Sequence, residues 1–206
     1  NIGHYIICPS EAAERPVPEE LSISSKMKSF TKVFAQGTSS LAEPTIVKED
    51  TAIILYTSGT TGKPKGAMLS YGNLYSNARD VADYLGINED DRVITVLPMF
   101  HVFCLTVCLN APLLSGGTLV IIPQFSPKEV FRVARKYEIT LFAGVPTMFN
   151  YLLQYPEGNA DDLQSLRFCI SGGSAMPVAL LKNFEEKFNV IVSEGYGLSE
   201  ASPVTC

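Results

Sequence analysis

The eleven residues Tyr56-Thr57-Ser58-Gly59-Thr60-Thr61-Gly62-Lys63-Pro64-Lys65-Gly66 gather four Ser/Thr hydroxyls, three glycines and two lysines. That composition suits a polyphosphate. Glycines let backbone N–H groups come close to an anion, the hydroxyls donate to phosphate oxygens, and the lysines bring positive charge. The spacing excludes the Walker A loop, which needs a Gly separated by four residues from a Gly-Lys pair followed by Ser or Thr. Here Thr57 stands in the glycine position, and Pro64, which has no N–H to offer a phosphate, follows Lys63.

Three more segments carry residues that could do chemistry. Leu97-Pro98-Met99-Phe100-His101-Val102 holds one of only two histidines. Ser171-Gly172-Gly173-Ser174-Ala175-Met176 links an expected strand to an expected helix, where the ends of parallel strands present phosphate and nucleotide sites. Gly195-Tyr196-Gly197-Leu198-Ser199-Glu200 combines a flat ring, two glycines, a hydroxyl and a carboxylate. Magnesium takes carboxylate, hydroxyl and phosphate oxygens, though a Glu after Leu-Ser is by itself more often an exposed helix start.

Together these motifs resemble the adenylate-forming superfamily of acyl-CoA synthetases, peptide-synthetase adenylation domains and luciferases. The wording of the His101 and Tyr196 segments is most similar to bacterial long-chain fatty-acid CoA ligases. The resemblance runs from about residue 45 to the end of the chain. It implies ATP and Mg²⁺ as cofactors, CoA as co-substrate, and activation of a fatty acid to acyl-AMP before thioester formation.

By that resemblance Thr57, Ser58, Gly59, Thr60, Thr61, Gly62, Lys63 and Lys65 close over the β- and γ-phosphates, with Lys63 weighted below Lys65. Glu200 and Thr60 hold magnesium, and Thr60, Lys65, Glu200 and His101 form the catalytic set. Tyr196 stacks on adenine, Gly195 and Gly197 admit it, and Leu198 and Ser199 complete that motif, Ser199 keeping the hydroxyl of the family's usual Thr. Gly172, Gly173 and Ser174 lie between the adenine site and the acyl tunnel. His101 stands near the reacting carboxylate without acting as a general base, because a fatty acid is already ionised near neutral pH. Val102, Phe103 and Leu105, with Gly144, Val145 and Pro146, line the acyl channel or are plain core.

Positioning these motifs falls to βαβ units. From Asp50 onward short β-branched runs alternate with amphipathic stretches. Strands are expected at 52–56, 92–97, 118–122, 140–144, 166–171 and 190–193. Helices are expected at 73–85, stopped by Gly86; from a capping box at Ser126-Pro127-Lys128-Glu129 to Tyr137; and at 176–188 with Pro177 in the first turn. The fold class is therefore α/β, a largely parallel sheet flanked by helices, and the resemblance implies that it is part of the large N-terminal domain of an adenylate-forming enzyme. Residues 46–206 form the nucleotide- and acyl-binding domain. Residues 1–45 are expected to be irregular, with Ile2 to Cys8 as a lone strand. The chain is expected to be a piece of a longer enzyme, whose mobile C-terminal domain would be its partner.

Charge and cysteines narrow the classes further. A net charge of −5 argues against a nucleic-acid surface, which needs clustered Lys and Arg. No apolar run reaches the roughly 20 residues of a membrane span. The five cysteines, odd in number and mostly within apolar runs, read as core residues of a cytoplasmic protein. Contact with a membrane surface and a homodimer stay open. Cys104 and Cys108 share a helical face without the His or acid partners of a metal site. The rival readings are adenylation of an aryl or amino acid, which an Asp in the acyl segment would mark for amino acids, and a catalytically silent ATP-binding module.

Overall fold

The computed structural model describes residues 5–7, 27–29, 45–59 and 62–205. The chain divides into two units, 1–45 and 46–206. In the first, β1 (Tyr5–Ile7) pairs in parallel with β2 (Met27–Ser29). The strand expected to stand alone thus has a partner within the chain. Met-Lys-Ser carries too little β-branched or aromatic character to announce it.

The second unit opens with an antiparallel hairpin of β3 (Thr51–Thr57) and β4 (Lys65–Ser70). A five-stranded sheet follows: β5 (Arg92–Thr95), β6 (Thr118–Ile121), β7 (Leu141–Gly144), β8 (Phe168–Ser171) and β9 (Val192–Glu194). All its pairings are parallel, in the order β6-β5-β7-β8-β9. The expected α/β architecture is therefore present. Every residue of β7 is buried, because both faces of the sheet are covered.

On one face lie α1 (Tyr71–Leu85), a π-helix (Cys104–Asn110) and α2 (Ala111–Leu114), with Ala78, Val81, Cys104, Val107 and Cys108 packed against Val93, Leu141 and Ile170. On the other lie α3 (Pro127–Tyr137), α4 (Pro146–Gln154) and α5 (Val178–Phe188). That face is built on aromatic contacts. Phe142 meets Phe149 edge-on at 5.4 Å, Phe149 meets Phe184 at 5.1 Å, and Phe188 links Phe184 at 4.8 Å to Phe131 at 5.5 Å. Such tilted and edge-on pairs add to the burial of the rings themselves.

The helix ends follow local chemistry. At α1 the Ser70 hydroxyl accepts from the Asn73 N–H at 3.2 Å while Asn73 Oδ1 accepts from the Ser70 N–H at 3.0 Å, and Gly86 closes the helix at φ 61°. The capping box expected at Ser126 does not form. Pro127 does open α3, but Ser126 makes no side-chain cap bond. Glu129 instead takes the Arg132 guanidinium, its shortest bond being 2.8 Å, so it does not reach back.

The three described cysteines of this unit are core; Cys8 and Cys206 lie outside the described residues. Cys104, Cys108 and Cys169 are free thiols, each fully buried. Contact with Cys104 and burial together push the Cys108 thiol well up, and burial does the same to Cys169. Neither is a nucleophile at neutral pH. Among the described residues no helix is long and apolar enough to cross a membrane.

Candidate active site

Thr57 at the end of β3 and Lys65 at the start of β4 are register partners, so the polyphosphate-type segment is the loop of a hairpin. Gly59 and Gly62 turn it with φ of 65° and 75°, and the Gly62 N–H donates to Gly59 O at 3.3 Å. A Cβ on Gly59 would run into the Lys63 carbonyl, whereas the space at Gly62 is open. Ser58, Lys63 and Lys65 are exposed, and neither lysine is ion-paired with a described residue. Both lysines being exposed, solvent access does not rank Lys63 below Lys65. Thr60 and Thr61 lie outside the described residues. Among the described residues the loop runs into a strand rather than a helix, so its positive potential comes from side chains and turn N–H groups.

The other three segments meet at the C-terminal edge of the five-stranded sheet. From β5 the chain passes outward to β6 and then back across to β7, so the direction of winding reverses between β5 and β7. A crevice for ligands opens at such a switch point. Leu97 to His101 leave β5 on one side of it, and Gly144-Val145-Pro146 leave β7 on the other.

His101 is exposed there. Its Nδ1 accepts the Phe103 N–H at 3.3 Å, which leaves Nε2 as the ring's donor, suited to a carboxylate. The Phe103 ring packs on Gly172, its edge atoms 3.0 Å from where a Cβ would stand. Val102 is buried and Leu105 half-buried. Gly173 turns at φ 80°, and Gly173 and Ser174 are exposed at the same edge.

Beyond β9, residues 195–205 fold back on themselves. The Gly195 N–H donates to Ser171 O at 2.8 Å, Gly197 bridges Val204, the Leu198 N–H donates to Pro203 O at 3.0 Å, and the Thr205 N–H donates to Tyr196 O at 3.0 Å. A Cβ on Gly197 would strike the Pro203 carbonyl. The bend is held from outside by Asn77 of α1, bonded to Val204, and by the buried Thr106 hydroxyl, which donates to Ser202 O at 3.2 Å. It leaves the Tyr196 ring 65% exposed, Leu198 and Glu200 exposed and Ser199 half-buried.

Glu200 sits in a one-turn 3₁₀ helix, Ser199–Ala201, against which β4 packs. The hairpin strand that starts at Lys65 and the turn that carries Glu200 are thus neighbours. Among the described residues no cluster of three or more His, Cys, Asp or Glu could hold a metal by itself. One exposed carboxylate, on a turn packed against the strand that follows the phosphate-type loop, fits Mg²⁺, which binds through one or two carboxylates plus substrate phosphates and keeps its waters.

Asn77, Thr106 and Glu194 are not named as site residues from the sequence, and Ser171 enters there only as the start of the Gly-Gly turn. Asn77 sits within an ordinary amphipathic helix and Thr106 in an apolar run, so neither stands out. Glu194, immediately before Gly195, was within reach of the motif reading. It ends β9 at the same edge, and its carboxylate accepts the Met176 N–H at 3.3 Å. By contrast, an open groove of about 540 Å³ along α3, lined by Lys128, Arg132, Arg135 and Lys136, contains none of the predicted site residues.

The family described as AMP-binding enzyme matches residues 6–206 of this chain. The chain belongs to that family, within the adenylate-forming superfamily. Long-chain-fatty-acid--CoA ligase of Bacillus subtilis is 40% identical over 160 residues, covering 77% of this chain and 29% of that protein. Feruloyl-CoA synthase of an Amycolatopsis species is 36% identical over 155 residues, covering 75% and 31%. Among solved structures, ATP-bound MatB from Rhodopseudomonas palustris superposes with a TM-score of 0.79 at 31% identity, over 89% of this chain and 38% of that one. The chain spans about a third of the length of the curated relatives it matches. The fold is that of the family's N-terminal AMP-binding region.

Proposed function

We propose that this chain is the nucleotide- and acid-binding part of an AMP-forming acyl-CoA ligase that activates a long-chain fatty acid. The observation that carries the reading is the packing of β4, which begins at Lys65, against the turn that bears Glu200. On this reading the loop of hydroxyls, N–H groups and lysine and the Glu200 carboxylate would hold a metal-bound triphosphate between them. Bound magnesium would neutralise part of the phosphate charge.

The chain's own residues supply the rest. Ser58, the loop N–H groups and Lys65 hold the β- and γ-phosphates, and Thr57, Thr60 and Thr61 extend that set. As pyrophosphate leaves, charge builds on those oxygens, and the donors act by electrostatic stabilisation. Tyr196 offers its exposed ring to the base, and Gly195 and Gly197 let the base approach the backbone. Ser199 offers a hydroxyl toward the α-phosphate. His101 Nε2–H orients the attacking carboxylate from the crevice between β5 and β7, removing no proton. The thioester step needs CoA and the C-terminal domain that the reading expects of the longer enzyme. Location in the cytoplasm belongs to the same proposal.

The fatty-acid assignment rests on the apolar residues around His101, with no Asp there to pair an α-amine. A second reading is an aryl acid. The Phe103 ring over Gly172 makes a flat wall that suits an aromatic acid, and feruloyl-CoA synthase is among the relatives. Acid-dependent ATP–pyrophosphate exchange decides, run on this chain and on the longer protein with medium-chain, long-chain, aryl and amino acids. Exchange with long-chain acids is expected. Exchange with aryl or amino acids alone rules out the fatty-acid assignment, and ATP binding without exchange by any acid leaves a silent nucleotide-binding module.

A further inference from the structure

We propose that Ser171 is a positioning residue that sets the purine preference of the site through Glu194. The proposal rests on the ATP reading above.

Side chains on a strand alternate between faces, and register partners in a parallel sheet share a face. Phe142, Cys169 and Val192 are partners across β7, β8 and β9, and all three belong to the core beneath α4 and α5. Two residues further, at the C-terminal edge, the next row on that face is Gly144, Ser171 and Glu194. Ser171 is 0% exposed, and its Oγ has no hydrogen-bond partner among the described residues. A buried hydroxyl left unpaired is costly and rare, so one at the ligand edge of a sheet needs a reason.

Its surroundings leave one direction for it to turn. On the β7 side Gly144 has no side chain, and the Phe142 ring edge and Met148 sulfur fill that place, 3.1 and 3.4 Å from where a Cβ would be. On the β9 side its register partner is Glu194. Only its Oε1 is engaged, by the Met176 N–H at 3.3 Å, and a carboxylate has about four acceptor positions. In the proposal the Ser171 hydroxyl donates to Glu194. The carboxylate is then pinned at two points and presents its remaining acceptors outward.

Outward lies the edge where Tyr196, two residues on, exposes its ring. A base stacked there would meet a fixed acceptor. Adenine presents an exocyclic amine where guanine presents a carbonyl oxygen, so a held carboxylate accepts the first and repels the second. Rejection through a misplaced polar group is far stronger than rejection by size.

Calorimetric titration of the chain with ATP and with GTP tests this. Ser171→Ala is expected to weaken ATP about tenfold and leave GTP unchanged, with a cooperative melt that shows the chain still folded. Ser171→Thr, which keeps the hydroxyl, is expected to retain the preference. Glu194→Gln, whose amide can donate to the guanine oxygen, is expected to gain GTP binding. An unchanged ATP-to-GTP ratio in Ser171→Ala, an equal loss of both nucleotides, or no gain of GTP by Glu194→Gln overturns the proposal. A parent chain that binds neither nucleotide overturns the ATP reading itself.

Discussion

Asn77 grips Val204 by both ends of its amide: Nδ2 donates to Val204 O at 2.9 Å, and Oδ1 accepts the Val204 N–H at 3.1 Å. The side chain thereby offers the donor–acceptor pair that a neighbouring strand would offer. On its other edge the same segment bridges Gly197. A helix from near the start of the unit thus fixes the bend that presents Tyr196 and Glu200, across 127 residues of sequence.

Removing this grip is expected to loosen the bend while sparing the core. Asn77→Ala should lower stability by about 1–2 kcal/mol, since two hydrogen bonds go and the Val204 groups are left to find solvent. ATP binding should weaken about tenfold. Asn77→Asp should do at least as badly, because it keeps the acceptor but sets a carboxylate against Val204 O. Thermal melts and nucleotide titration of the two variants check both points, and unchanged nucleotide binding would show that Asn77 only supports the fold.

Gly197 and Gly62 make a contrasting pair. A Cβ at Gly197 meets the Pro203 carbonyl, which is itself held by the Leu198 N–H, so the bend has no easy way to give. Gly197→Ala is expected to abolish measurable ATP binding. At Gly62 the space is open and only the positive φ is strained, at a cost of roughly 1 kcal/mol. Gly62→Ala should therefore bind ATP within about tenfold of the parent, and titration of the two proteins side by side decides.

How far the sequence could be read follows from where each signal lies. Alternating β-branched runs and 3.6-residue periodicity report burial, so β5 to β9 and α1, α3 and α5 were legible to within a few residues. β4 was not, because Lys-Gly-Ala-Met-Leu-Ser follows the loop without a periodic pattern, and its pairing with β3 is a tertiary fact. The π-helix was equally hidden, since Cys104 to Asn110 reads as any apolar helix. Within the site, the motifs named the loops but not what holds them. The grip of Asn77 and the buried hydroxyls of Thr106 and Ser171 depend on contacts between distant segments, which local spacing does not encode. The capping box at Ser126 misled because Arg132, one turn on, competes for Glu129.

Phe103 and Gly172 divide acid choice from nucleotide binding. The ring lies on the glycine with no room to spare, on the opposite sheet face from Ser171 and Glu194. Phe103→Ala should clear that wall and shift exchange toward bulkier acids, with ATP affinity unchanged. Gly172→Ala should press the ring into the crevice and raise the KM of the acid. Exchange assays across the acid panel, with the KM for ATP measured in parallel, check this; a matching change in the ATP term would place Phe103 in the nucleotide site instead.

Asp91 predicts the acid limit of the fold. It is 2% exposed at the N-terminal edge of the sheet, and burial by itself would push its pKa up. The Thr140 hydroxyl at 2.6 Å, the Asn88 N–H at 2.9 Å and the Arg167 guanidinium at 2.7 and 2.8 Å outweigh burial and hold the carboxyl below its ordinary value. With the folded pKa below the unfolded one, the unfolded chain binds the proton more readily. Stability from this group is therefore complete above the unfolded value, near pH 4, and falls away as pH drops through the folded pKa. Asp91→Asn removes the charge and is expected to cost roughly 2–3 kcal/mol at pH 7, Arg167 being exposed enough to regain water. The gap between parent and variant should narrow steadily below pH 4. Urea melts from pH 7 to pH 2.5 measure it, and a gap independent of pH would mean that Asp91 contributes by packing and neutral hydrogen bonds rather than by its charge.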